Sequence, residues 1–208
     1  MVEEQRKGLA MPKVNRSGQA TALSPEQVRL LLDYLPPKHR LAAAIAYYTA
    51  ARIGEVLQLR AEAIAAGEIV FTCQTTKTKT TRTARIPTPL AELLSDYRRG
   101  SVYGWHHHQT YTLPRKGWLF LGADGKRPMS RRTFDAVLRR TCDSLNLASD
   151  AFVGVSTHSF RRSAATTLHR KGVPLQAIAR VTGHATLSAL QRYLDVHAEE
   201  AARAVELL

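Results

Sequence analysis

A histidine and an arginine lie three residues apart in the stretch THSFRRSAATT, residues 157–167. On an α-helix, three steps of ~100° place His158 and Arg161 about 60° apart, so both side chains can reach one external point. An imidazole can transfer a proton near neutral pH, and a guanidinium offers a planar fork of donors to an anion. Such a pair is more often a solvated surface feature, so other residues must distinguish the two interpretations.

Further candidate side chains lie in three other segments. Arg52 stands in TAARIGEVLQL, and Lys77 and Lys79 lie in a polar turn between two segments of β-like composition. His184 precedes Tyr193 by nine residues in TGHATLSALQRYL. Each of these residues alone would more often pack in a core or pair on a surface. Together they supply cations, imidazoles and a phenol in a fixed order, which makes a surface role less expected for the His158 and Arg161 pair.

The chain is strongly basic. Its 208 residues include 30 Lys and Arg against 17 Asp and Glu, which leaves a formal net charge of +13. Release of condensed counterions makes a polyanion such as a nucleic acid the expected partner, although acidic membranes also attract basic proteins. The sequence contains no apolar run of about 18 residues, the length needed to span a bilayer, and the amino terminus lacks the apolar core of a secretory signal. We therefore expect a cytoplasmic protein with no membrane partner.

Apolar periodicity predicts a mainly α fold with a small antiparallel β-sheet, in the α+β class. Ser24 and Pro25 are expected to begin the first helix, and a second helix should run towards Arg52. Residues 68–87, EIVFTCQTTKTKTTRTARIP, combine β-branched residues with partial alternation and predict a strand, a polar turn and a returning strand. This is the only clear hairpin in the sequence.

The remaining helices follow from caps and prolines. They are expected to begin at Thr88, at the caps Ser130 and Thr157, and after Pro174. Residues 100–117 are predicted to form a loop, which contains His106, His107 and His108. Adjacent positions on one loop rarely converge on one ion, so we expect no metal site there.

The candidate residues resemble, in order and spacing, the catalytic domain of the tyrosine recombinases or phage integrases. That family carries an arginine in a motif like T-G-x-R-x-x-E, a lysine on a β-hairpin, His-x-x-Arg, then Gly-His and a tyrosine nine residues later. Here TAARIGE, TTKTKTTRTARIP, HSFR, TGH and QRY match these elements. Arg161 precedes His184 by 23 residues, as in the family pattern. The resemblance covers roughly residues 23–197.

The match has two departures. Ala50 stands where the family usually has glycine before its first arginine, a change that would tighten the turn without touching a reactive group. The hairpin offers two lysines: the distance from Arg52 favours Lys77, and counting back from Pro87 favours Lys79. We prefer Lys77 as the family lysine.

The resemblance implies a site-specific DNA recombinase that cuts and rejoins strands through a 3′-phosphotyrosyl intermediate, with Tyr193 as the nucleophile. The pentavalent transition state gathers negative charge on the phosphate oxygens, and the guanidiniums of Arg52 and Arg161 can meet it. Glu55 is interpreted as a buttress for Arg52. Because the covalent link preserves the energy of the broken phosphodiester, neither ATP nor a metal nor another cofactor is expected.

The other implied site residues handle protons. Tyr193 has an unperturbed pKa near ~10 and must lose its proton as it attacks, and His158 is the expected acceptor. Lys77 can supply a proton to the departing 5′-oxygen if neighbouring arginines lower its pKa. His184 is expected to donate a hydrogen bond to a phosphate oxygen and to help seat Tyr193.

The resemblance also suggests how the chain is organised. Residues 1–22 would form a basic flexible arm, residues 23–197 the catalytic DNA breaking-rejoining domain, and residues 198–208 a tail helix. The tail could dock on a neighbouring subunit or fold back on its own domain. Since one tyrosine cuts one strand, exchange of two duplexes implies four subunits assembled on DNA, at the nucleoid. Most family members carry an amino-terminal helical domain, for which this sequence has only about 22 residues.

Two alternatives remain at this point. The stretch from Arg161 to Tyr193 resembles a helix-turn-helix, so a non-catalytic DNA-binding protein would also fit the charge. A type IB topoisomerase shares the attacking tyrosine and much of the site, but it relaxes supercoils alone. The TGH spacing and TAARIGE favour a recombinase.

Overall fold

A computed structural model describes residues 18–74, 80–104, 106–191 and 194 of the chain. The helices in this part are α1 Pro25–Tyr34, α2 Pro37–Tyr48, α3 Ile53–Leu57, α4 Thr88–Arg99, α5 Arg131–Asn146, α6 Ser159–Arg170, α7 Leu175–Thr182 and α8 Leu187–Gln191. The strands are β1 Ile64–Ala65, β2 Glu68–Phe71, β3 Arg82–Arg85, β4 Val102–Gly104 and β5 Gln109–Tyr111. The mainly helical fold with small antiparallel sheets agrees with the sequence prediction. None of the helices in these ranges is both long and apolar enough to cross a membrane.

The first helix begins where its sequence predicts. The Ser24 hydroxyl accepts a 3.2 Å hydrogen bond from the Gln27 amide, and the Gln27 side chain accepts a 2.7 Å bond from the Ser24 amide. These reciprocal bonds satisfy two donors that a helix start would otherwise leave open. Val28 and Leu31 then face the core at helical spacing.

Helix α2 lies at the centre of the core. Its run from Leu41 to Ala46 is completely buried, and it packs against α1, α3, α4 and α6. Four of those six residues are alanines. Because alanine has a short side chain, neighbouring helices can approach α2 closely, which places the start of α6 beside the end of α2.

The predicted hairpin consists of β2 and β3 and belongs to a three-stranded antiparallel sheet in the order β1-β2-β3, with β2 in the centre. Ile69 pairs with Ala84 and Phe71 with Arg82. Ile69 and Phe71 are fully buried, as the alternation in EIVF predicts. The turn residues 75–79 lie outside the described part of the chain.

A second hairpin lies in the segment that the sequence predicted as a loop. Strands β4 and β5 pair from Val102↔Tyr111 to Gly104↔Gln109. Each strand has only three residues, too few to show a period of two. The hairpin packs on α2, and a Cβ on Gly104 would lie 2.6 Å from Cδ of Pro37, so only glycine fits there. The prediction of a loop over residues 100–117 was therefore wrong for the paired residues.

Helix α2 runs towards Arg52 and ends at Tyr48, and Arg52 stands directly before α3. One predicted helix boundary was wrong. Thr157 does not cap α6, because His158 is the N-cap residue of that helix. The Thr157 hydroxyl accepts a hydrogen bond from the Arg131 guanidinium instead, at 3.2 Å.

Candidate active site

Arg161 is the most deeply buried cationic residue of the predicted site. Only 1% of its surface is exposed, and its Nη1 donates a 2.8 Å hydrogen bond to the carbonyl oxygen of Ala50. It lies in the first turn of α6, the helix that packs against the end of α2. A guanidinium loses hydration when it is buried and needs acceptors in return. Arg161 is therefore built into the core of the protein, which excludes the interpretation of a solvated surface group.

The acceptor of this bond lies in a tight turn after α2. Ala50 has φ of +48°, in the left-handed region that favours glycine. The turn points the Ala50 carbonyl at Arg161 and brings Arg52 to the start of α3 two residues later. Glycine would adopt this conformation with less strain, which fits the glycine of the family pattern, and in this chain an alanine adopts it.

Arg52 is held by Glu55 in the first turn of α3. Its Nη1 lies 2.9 Å from Oε1 of Glu55, and its backbone amide donates a 3.2 Å bond to Oε2. The Glu55 side chain is only 4% exposed, whereas 27% of the Arg52 side chain is exposed. The carboxylate therefore orients a guanidinium that remains partly accessible from outside, in agreement with the interpretation of Glu55 as a buttress.

His184 follows the end of α7, where Gly183 adopts a left-handed φ of +66°. The Thr182 hydroxyl lies 2.7 Å from Nδ1 of His184 and also donates a 2.7 Å bond to the Ile178 carbonyl. Since that hydroxyl has one hydrogen, which the carbonyl takes, Nδ1 of a neutral His184 carries the ring proton. Burial, then the charges of Arg161 and Arg52, lower the pKa of His184 to about 4. The imidazole is thus neutral at pH 7, and both arginines act on it.

His158 occupies the N-cap position of α6 and is partly buried. Its carbonyl accepts a 3.0 Å bond from the Arg162 amide, which starts the hydrogen bonding of the helix. His158 and Arg161 thus both lie at the start of α6, with His158 at the N-cap and Arg161 in the first turn.

A cleft of about 320 Å³ opens between the turn at Arg52, the β2–β3 hairpin and the end of α7. Its lining consists of Arg52, Glu55, Thr80, Thr81, Arg82, Thr182, Gly183, His184 and Ala185. These residues come from three segments that are distant in sequence. Two of the predicted site residues, Arg52 and His184, line the cleft.

Arg82 is a residue of this cleft that the sequence analysis missed. Its guanidinium contacts the turn after α2, the end of α7 and Glu55. The period of two in a strand could have indicated it, because it places Arg82 on the same face of β3 as the apolar Ala84. In the structure that face is partly buried, while Thr83 and Arg85 are exposed. Burial lowers the pKa of Arg82, Glu55 raises it and Arg52 lowers it, and an arginine so placed keeps its charge.

The remaining predicted residues, Lys77, Lys79 and Tyr193, lie outside the described part of the chain. Leu190 and Leu194 are described, and both are buried in a small cluster with Ala165 of α6 and Ile178 of α7. The choice between the two lysines stays a prediction.

The three adjacent histidines have three different environments. His106 stacks on Tyr34 with ring centroids 3.9 Å apart, and Nε2 of His107 lies 2.7 Å from the Tyr34 carbonyl oxygen. His108 contacts the hydroxyl of Tyr103. Within the described ranges, no three His, Cys, Asp or Glu residues form a group suited to a metal ion.

Residues 21–200 match the model of the phage integrase family, and the chain belongs to that family. The family resemblance predicted from the sequence, with its class of tyrosine-type site-specific recombinases, is confirmed by this match. Tyrosine recombinase XerA of Pyrococcus furiosus is 27% identical over 99% of this chain and 67% of the relative. The integrase of Escherichia phage P2 is 28% identical over 89% of this chain but only 46% of the relative. The chain thus spans about half to two thirds of these two relatives.

Solved structures share the fold. The integrase of the Tn1549 transposon, in complex with a circular intermediate DNA, has a TM-score of 0.69 at 19% identity and covers 100% of this chain and 70% of its own. The catalytic domain of bacteriophage HP1 integrase has a TM-score of 0.56 at 22% identity and covers 89% of this chain and 95% of its own. The predicted fold class is therefore confirmed.

Proposed function

We propose that this chain is the catalytic domain of a site-specific DNA recombinase that cuts and rejoins strands through a 3′-phosphotyrosyl intermediate. One observation carries the proposal: in a member of the phage integrase family, Arg52 and His184 line one cleft, and Arg161 is bonded to the turn that leads to Arg52. Residues that are far apart in sequence are thereby brought to one small region, as chemistry on a single phosphate requires.

The two arginines would stabilise the pentavalent phosphate from different depths. Arg161 is fixed in the core by the Ala50 carbonyl, and Arg52 is fixed at the cleft by Glu55. Donors that are already oriented need no reorganisation when charge develops, and burial strengthens their field. Both guanidiniums would therefore be oriented before DNA binds.

His184 would change its protonation when phosphate binds. In the DNA-free protein it is neutral, with its ring proton on Nδ1, so Nε2 can only accept. Burial is the largest cause of the lowered pKa of His184, and a phosphate between the arginines offsets the second cause, their charges, so the pKa rises. A protonated His184 can then donate to a phosphate oxygen, as the family resemblance implies.

The covalent step belongs to Tyr193 in this proposal. Its phenol oxygen forms the bond to phosphorus, the bond to the 5′-oxygen breaks, His158 accepts the phenol proton and Lys77 protonates the leaving oxygen. Attack of a 5′-hydroxyl from another strand reverses these steps.

Double-stranded DNA is the proposed partner, supported by the net charge of +13 and by relatives whose structures contain DNA. Exchange of two duplexes would require four subunits on DNA at the nucleoid, and the tail at residues 198–208 could link neighbouring subunits. Residues 1–22 are proposed as a basic arm that follows the DNA beside the domain at 23–197, and its described end is anchored on that domain, because the Thr21 hydroxyl donates a 2.6 Å bond to the Val153 carbonyl.

A covalent adduct tests the proposal directly. A Tyr193→Phe variant is first used to select binding sequences from a random DNA pool, and nicked duplexes with the selected sites are then incubated with the wild-type chain and a chelator. We expect an SDS-stable, protease-sensitive complex from the wild type and from Tyr103→Phe, an exposed control on β4. Tyr193→Phe should bind the same DNA and form no complex.

The alternatives predict different results. A helix-turn-helix repressor would bind DNA and form no adduct with any variant, which would refute the covalent mechanism. A type IB topoisomerase would form the adduct but relax supercoiled DNA without an exchange partner. A relaxation assay run beside a strand-exchange assay distinguishes that enzyme from a recombinase.

A further inference from the structure

We propose that Arg82 is a positioning residue that locks the His184 turn and the Arg52 turn into one rigid site. The inference rests on the proposed function for its catalytic meaning, but its structural content stands on contacts in the described residues. Arg82 lies on β3 of the hairpin, and its guanidinium reaches two segments that carry the predicted site residues.

One nitrogen of Arg82 joins the two segments. Its Nη1 donates a 3.2 Å bond to the Thr49 carbonyl and a 2.9 Å bond to the Val181 carbonyl. A guanidinium Nη carries two hydrogens, so each can serve one carbonyl. Thr49 precedes Arg52 by three residues and Val181 precedes His184 by three. The Nη1 atom of Arg82 therefore bridges the backbones of the two turns.

The second nitrogen adds an ionic contact. Nη2 of Arg82 lies 3.9 Å from Oε2 of Glu55, the carboxylate that also orients Arg52. The side chains of Arg82 and Glu55 are 18% and 4% exposed. Because both are largely shielded from water, solvent screens this attraction less than it would at the surface. Arg82 thus helps to fix the Glu55 carboxylate, which in turn orients Arg52.

The hairpin in turn fixes the position of Arg82. The guanidinium carbon lies 4.7 Å from the centre of the Phe71 ring, and Phe71 is the cross-strand partner of Arg82. A Cβ on Gly183 would approach Cδ of Arg82 to 3.5 Å, which is ordinary contact distance. The Arg82 side chain is therefore packed between a fully buried ring and the backbone that leads to His184.

Only arginine fits these contacts together. Lysine retains the positive charge, but it lacks the planar fork that packs on Phe71 while one nitrogen bridges the two carbonyls and the other faces Glu55. Glutamine loses the charge as well. Arg82→Lys therefore separates the geometry of the fork from its charge, and Arg85→Lys on the exposed face of the same strand is the matched control.

The test is an NMR titration of the His184 ring in the DNA-free protein, with the signal assigned by a His184→Asn variant. In the wild type the signal should not titrate between about pH 5.5 and 8, because the pKa of His184 is lowered to about 4 by burial and by Arg161 and Arg52. Release of the turn in Arg82→Lys exposes the ring, so its pKa should rise by at least about one unit. Arg82→Gln should give at least as large a rise, and Arg85→Lys none.

An unchanged His184 titration in folded Arg82→Lys would overturn the proposal, and so would an equal rise in Arg85→Lys. Amide spectra establish that each variant is folded, and Arg82→Lys alone decides the matter if Arg82→Gln does not fold. Adduct formation on nicked DNA is measured in parallel and should fall at least about tenfold in Arg82→Lys. If the wild type forms no adduct, the proposed recombinase activity fails while the titration still decides the role of Arg82.

Discussion

The guanidinium of Arg161 is hydrogen-bonded through Nη1 to the carbonyl oxygen of Ala50, 2.8 Å away and 111 residues earlier in the chain. This bond connects the start of α6 with the turn after α2, so the two predicted arginines of the site cannot move independently. Its acceptor exists because Ala50 takes a left-handed conformation that turns its carbonyl towards α6. A strained residue with no reactive group thus sets the position of a buried cation.

Arg161→Lys should abolish most of the activity while the charge is kept. Lysine offers a point charge and cannot donate to Ala50 and to a phosphate in one plane. We expect adduct formation on nicked DNA to fall about 100-fold or more, the range seen when an oriented donor is removed. Arg139→Lys, at an exposed ion pair on α5, should behave as wild type. Equal activity of the two variants would contradict the assigned role.

Gly183→Ala and Gly172→Ala should have similar effects on stability and different effects on activity. Both glycines have positive φ, at +66° and +75°, and neither Cβ would clash. Each substitution should therefore cost roughly 1 kcal/mol in urea unfolding, from backbone strain alone. Only Gly183 precedes His184, so only its variant should also lower adduct formation. A loss of activity in both variants would show that strain at any helix end is sufficient.

Glu55→Gln should destabilise the protein far more than Glu26→Gln. Both carboxylates lie 2.9 Å from an arginine at helical spacing, but the Glu55 side chain is 4% exposed and that of Glu26 is 70% exposed. Removing the buried charge leaves Arg52 and Arg82 without their shared counterion, at a cost of about 2 kcal/mol or more. Glu26→Gln should leave the urea midpoint unchanged, because solvent screens its pair. Equal midpoints for both variants would contradict the buttress.

Acidification should destabilise the fold through partly buried histidines before most carboxylates titrate. Burial, then the charges of Lys38, His107 and Arg140, lower the pKa of His39 to about 4, and neither ring nitrogen has a hydrogen-bond partner among the described residues. The unfolded state takes up a proton near pH 6.5 and the folded state does so only near 4. The unfolded chain therefore binds more protons in this window, and stability falls as the pH falls.

His39→Leu tests this linkage by urea unfolding at about pH 7 and pH 5. The wild type should lose stability between these values, and the variant should lose up to about 2 kcal/mol less. His108→Asn, at an exposed position, should keep the wild-type loss. The prediction is wrong if the loss in His39→Leu equals that of the wild type.

The order of the motifs was enough to predict the family, because the spacing of Arg161, His184 and Tyr193 is a property of the chain itself. Caps and apolar periodicity likewise predicted helices such as α1, and alternation predicted the β2–β3 hairpin. These signals act between residues that are close in sequence. The β4–β5 hairpin escaped prediction because its pairing is stabilised by packing on α2, which no local pattern encodes.

Only the tertiary structure decided how the cations are held. The Ala50 carbonyl that meets Arg161, and the two carbonyls that meet Arg82, are backbone atoms, which every residue carries. Side-chain identity therefore cannot reveal them. Burial has the same character: Arg161 and Arg29 are both arginines on helices, yet one is 1% exposed and the side chain of the other 63%. The sequence by itself determined which groups are present, and long-range packing determined which of them meet, because contact across 111 residues depends on the whole fold.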